Sequence, residues 1–115
     1  MIEKVLNISG HDVKFKSTAG TLRHYRNNFG RDMLKDVMHL QERLKKVSSS
    51  TEQFEVVDLE MFENIAWAMA KTADPDTKPI DIWLDDFETF AITKILPEIM
   101  NLLVENMKTE NQPKN

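Results

Sequence analysis

Apolar residues change their spacing along the chain, and each spacing predicts an element. Ile2, Leu6 and Ile8 fall at even intervals, and Val13 and Phe15 alternate with Lys14 and Lys16. Alternation with period two is the pattern of a half-buried strand. Between these runs lies Ser9-Gly10-His11-Asp12, where glycine supplies positive φ and aspartate can bond its own backbone. The pattern predicts a β-hairpin over residues 2–16, with Val13 and Phe15 inward and the lysines outward. A lone hairpin is marginal in water, so it must lie on an apolar surface.

Helical spacing takes over from there. Ser17 or Thr18 can cap a helix over 18–29 carrying Leu22, Tyr25, Arg26 and Phe29, and Gly30 is its natural stop. A second helix, over 31–46, carries Met33, Val37, Leu40 and Leu44 on one stripe that Leu34 and Met38 widen. Lys45 and Lys46 suit its C-terminal dipole. Asp58 caps a third helix, over 58–73, with Leu59, Phe62, Ile65, Ala66 and Met69 inward and Pro75 barring continuation. After the connection Asp74–Pro79, a fourth helix capped by Asp81 runs over 81–107, with a kink or short break near Pro97. Residues 109–115 are polar and expected to fray. The fold class expected is mainly α (α+β): a short N-terminal hairpin packed on four to five helices, in a single domain over 1–108.

Composition narrows the class. The chain has 115 residues, no cysteine and 41% hydrophobic residues. That is one domain with one core, too apolar for wholesale disorder. Without cysteine, disulfides, thiolate metal sites and cysteine nucleophiles are excluded. No apolar run approaches the ~18 residues of a membrane span. Glu3 and Lys4 interrupt any signal-like core, so a cytoplasmic location is expected. The net charge of −4 hides a division. Residues 1–50 hold ten Lys/Arg and five Asp/Glu, and residues 51–115 hold five Lys and fourteen Asp/Glu. The crossover falls at the loop Ser48–Thr51. Such a split points to a partner, to association between copies, or to neutralisation within one molecule.

Candidate chemistry is sparse. His11, His24 and His39 show no metal-ligand spacing, so no zinc site is expected. Asp74–Asp85 superficially resembles a calcium loop, but Lys78 and Pro79 occupy its fifth and sixth positions, which excludes it. Asp81, Asp85, Asp86 and Glu88 are acidic, yet no histidine, nucleophile or glycine-rich loop accompanies them. No residue set meets the requirements of an active site, and neither an enzyme nor a cofactor is expected. Two sets remain as candidate partner-binding residues. Arg23, Arg26, Arg31 and Lys35, with Lys14 and Lys16, interleave with Tyr25 and Phe29; the arginines either contact a partner or pair with carboxylates of later helices. Trp83, Phe87 and Phe90 form an aromatic row that is either core or an interface anchor.

Three segments in order carry a resemblance: FKSTAGTLRHYRNNFGRDMLKDV, VVDLEMFENIAWAMAKTADPDTKP and IWLDDFETFAITKILPEIMNLL. From about residue 2 to residue 107 the chain resembles the tail assembly chaperones of long-tailed phages and prophages (siphovirus type) of Gram-positive bacteria. The resemblance implies a protein that binds the tape measure protein, keeps it soluble, promotes tail tube assembly around it and is absent from the mature virion. It also implies contact with tail tube protein, mainly through a longer frameshifted form; the polar end QPKN is compatible with the short form. Self-association is expected, with no nucleic acid and no membrane partner. The alternatives are a small phage DNA-binding regulator using the basic first helices, or a structural tail or head-tail protein retained in the virion.

Overall fold

The computed structural model describes residues 2–46, 58–89 and 91–111. It has the expected mainly-α α+β fold, a two-stranded antiparallel hairpin followed by helices. Strands β1 (Ile2–Ile8) and β2 (His11–Ser17) pair in register from Ile2–Ser17 to Ile8–His11. The connection is two residues, Ser9 and Gly10, with φ of 53° and 83°. Positive φ at both positions makes a turn whose twist matches the strands, and glycine adopts it without strain. His11 and Asp12 therefore belong to the strand, not to the turn. Phe15 is fully buried and Val13 half-buried, as the alternation requires.

Helix α1 (Ala19–Phe29) starts on a reciprocal cap. The Thr18 hydroxyl accepts from the Gly20 N–H, and the Thr18 N–H donates to the Thr21 hydroxyl, both at 3.1 Å. Gly30 ends it in the left-handed conformation, its N–H on the Arg26 carbonyl at 2.8 Å. Helix α2 (Met33–Lys45) begins two residues later than expected, because Asp32 is the cap and accepts from Leu34 and Lys35. Met33, Val37 and Leu40 are buried, but Leu34 and Met38 are 41% and 55% exposed, so the stripe is narrower than its sequence suggests.

Helix α3 (Leu59–Ala73), capped by Asp58, is the centre of the molecule. Ile65 through Ala70 are all buried, on every side of the helix, while Leu59 at its entrance is exposed. The alanines Ala66, Ala68 and Ala70 let the hairpin and α1 approach closely. Trp67 stacks edge-on against Phe29, with centroids 5.7 Å apart, and donates its indole N–H to the Lys78 carbonyl at 2.8 Å. The Thr21 hydroxyl ties α1 to α3 through the Thr72 hydroxyl at 2.7 Å.

The helix expected over 81–107 is three pieces: α4 (Ile80–Leu84), α5 (Ala91–Lys94) and α6 (Leu96–Asn111). Pro79, not Asp81, precedes the first, and no side chain caps it. The Asp86 and Phe87 N–H groups bond back to the carbonyls of Trp83 and Leu84, tightening the chain out of the helix. Pro97 lies in the first turn of α6, where its missing N–H leaves nothing unsatisfied. Helix α6 extends through residues 109–111, which were expected to fray. Ile99, Leu102 and Leu103 are buried, and α6 packs on both strands. The expected loop at Ser48–Thr51 and residues 112–115 lie outside the described residues.

Candidate functional site

The candidate residues separate into core and surface. Tyr25 is fully buried and presents nothing to a partner. Its hydroxyl donates to the Asp36 carboxylate at 2.7 Å, and the Arg31 guanidinium grips both oxygens of the same carboxylate at 2.8 Å. Arg31 thus pairs on its own helix-turn-helix segment, not with the later helices. Asp36 is 7% exposed and sits on the apolar side of α2. The Arg31 bonds hold its carboxyl below the usual carboxylate range, with burial opposing and the Tyr25 bond assisting. Burial, reinforced by the neighbouring carboxylate, pushes the Tyr25 phenol upward. This network fastens α1 to α2.

Arg23 and Arg26 are exposed on α1 and have no ion-pair partner among the described residues. Lys4–Glu98 joins the basic and acidic halves, whereas Lys14–Glu3 and Lys78–Asp86 are local. Trp83 is 6% exposed and meets half-buried Phe87 edge-on at 5.0 Å. Phe87 also meets His11 of the hairpin at 6.1 Å. These two aromatics anchor the 80–89 segment against the strands. Phe90 lies outside the described residues.

Two surface features were not anticipated. One is a set of exposed apolar side chains: Val5, Leu34, Met38, Leu59 and Ile82. Leu34 and Met38 stand four apart, on one face of α2. The other is a cleft of about 480 Å³ between β2, the end of α3 and the 74–86 segment. Val13, Ala70, Ala73 and Trp83 supply its apolar lining, and Asp12, Asp74, Asp76 and Asp86 its acidic one. Lys14 and Lys78 also line it, each already paired with a carboxylate. The sequence showed the acidic residues of 74–86, but only the hairpin packing on α3 adds Asp12 to them.

Among the described residues no group of three His, Asp or Glu side chains could hold a metal ion. No described helix is long and apolar enough to cross a membrane. No family model matches the chain, and neither a curated protein nor a solved structure matches it.

Proposed function

We propose that this chain is a tail assembly chaperone that binds and solubilises the tape measure protein of its phage and promotes tail tube assembly around it. The observation that carries the reading is the exposed pair Leu34 and Met38 on α2, together with the three-segment resemblance. A holdase must cover amphipathic helices reversibly and without chemistry. An unbranched methionine beside a leucine adapts to many apolar faces. Modest affinity per copy becomes tight coating when several copies sit along one long client. In this reading the chain works in the host cytoplasm, self-associates on the client, meets tail tube protein through a longer form and leaves before the virion matures.

Co-expression with the tape measure protein of the same phage is the test. Soluble tape measure and a co-purifying complex are expected. Equal insolubility with and without the chain, and no complex, would overturn the reading. A second reading, binding to duplex DNA, draws on Arg23 and Arg26, which are exposed and have no ion-pair partner among the described residues; it requires affinity that falls steeply with salt.

A further inference from the structure

The hairpin register fixes where the backbone groups of β2 point. Ile8 and His11 close the two-residue turn, so they are a hydrogen-bonded pair, and the pairs alternate from there. Asn7–Asp12 and Val5–Lys14 are then non-hydrogen-bonded pairs. The N–H and C=O groups of Asp12 and Lys14 therefore point away from β1. The next outward carbonyl along the strand, that of Lys16, is taken by the Thr21 hydroxyl at 3.2 Å. Among the described residues nothing takes those of Asp12 and Lys14. Asp12, Val13 and Lys14 all line the cleft, although successive side chains of a strand point to opposite faces. Three consecutive lining residues mean that the cleft runs along the strand's open edge.

A second observation marks the same place. Trp83 lines the cleft and is otherwise buried, yet no described residue accepts its indole N–H. That N–H is not sealed in the interior either, since among the described residues no buried side-chain nitrogen or oxygen is without a partner. A buried tryptophan usually satisfies its N–H, as Trp67 does on the Lys78 carbonyl. The cleft thus offers an unpaired strand edge, a free indole donor, an apolar lining of alanine and valine, and a surplus of carboxylates.

We propose that this cleft binds an extended basic peptide segment of a partner chain, which adds as a third strand along Asp12–Lys14. The peptide backbone bonds the open edge, as in strand-addition recognition generally. One of its carbonyls takes the Trp83 indole N–H. Its lysine or arginine side chains meet Asp74 and Asp76, while a small apolar side chain enters against Ala70 and Ala73. The acidic rim selects basic over acidic segments. This site is separate from the exposed α2 face and does not depend on the tail-chaperone reading.

The probe is a fluorescein-labelled synthetic peptide, acetyl-Lys-Val-Arg-Val-Lys-amide. Its controls are a twin with glutamate at the basic positions and a twin with alternate backbone nitrogens methylated. Anisotropy titration of the full chain at low salt should give saturable binding of the basic peptide and none of its glutamate twin. Backbone methylation should weaken it about tenfold, the equivalent of roughly one or two hydrogen bonds. Amide and indole spectra should show shifts at Asp12, Lys14 and Trp83. Asp76→Lys should weaken binding without altering the fold. Lys14→Pro should abolish it, since an edge strand tolerates proline where the N–H faces outward. Equal binding by the methylated peptide would overturn the proposal, as would binding that leaves the Asp12, Lys14 and Trp83 signals unmoved, or no saturation. Concentration-dependent shifts of those signals without peptide would also overturn it, by making a second copy the occupant.

Discussion

Asp36 carries a charge that is built into the fold. It is a buried carboxylate on the core side of α2, held by the Arg31 fork and the Tyr25 hydroxyl. Its position was legible: it stands three after Met33, one before Val37 and four before Leu40, within the apolar stripe. Sequence reasoning gave Arg31 to a partner or a later helix because a stop at Gly30 does not by itself show that Arg31 folds back onto the Asp36 carboxylate. The lowered pKa of Asp36 has a definite sign. Its contribution to stability is present above the unfolded value, about 3.9, and is lost as pH falls through the folded value. Asp36→Asn keeps an acceptor for Tyr25 but removes the charge. The expected result is lower stability at pH 7 and a smaller loss between pH 4 and pH 2 than in the unaltered chain. Denaturant titrations across that range measure it; parallel pH profiles for the two proteins would assign the acid response to other carboxylates.

At the scale of elements, the ends that local chemistry dictates were readable and the interruption of the last helix was not. Thr18, Gly30 and Asp58 act where their side chains or backbone freedom predict. The 81–107 stretch carries helical spacing throughout, so periodicity alone joins what the structure divides. One physical cost favours the division. An interior proline would cost about 3 kcal/mol, whereas breaking at Ile95 puts Pro97 in a first turn. This makes opposite predictions for Pro97→Ala. In a continuous helix the change would stabilise the protein; in the first turn of α6 it removes only the proline's restriction of the unfolded chain. A loss of about 0.4–1 kcal/mol is expected, read from equilibrium unfolding, and a gain of stability would contradict the break.

For the molecule as a whole, burial and function make separable demands on the apolar residues. The hairpin and α6 come from opposite ends of the chain, and the Lys4–Glu98 pair and the Glu88 N–H on the Ser9 hydroxyl join the hairpin to the C-terminal half. No local pattern in the sequence announces such contacts, which is why the expected hairpin had no assigned support. The same packing decides which apolar side chains are left over. Ile99 is sealed between α6 and the rest of the core, and its truncation would leave a cavity. Leu34 and Met38 are exposed on α2 and contribute little to the core. Changing both to serine should shift stability by no more than about 1 kcal/mol, taking roughly 0.5 kcal/mol for each surface change. The client demand is different. If α2 covers amphipathic segments of the tape measure protein, removing these two exposed apolar side chains takes away surface that holds them. Leu34→Ser with Met38→Ser is therefore expected to fold with a nearly unchanged melting temperature and to leave co-expressed tape measure protein in the pellet. Retention of full solubilising activity by that double variant would move the client surface away from α2, and loss of the melting transition would show that the two residues belong to the core after all.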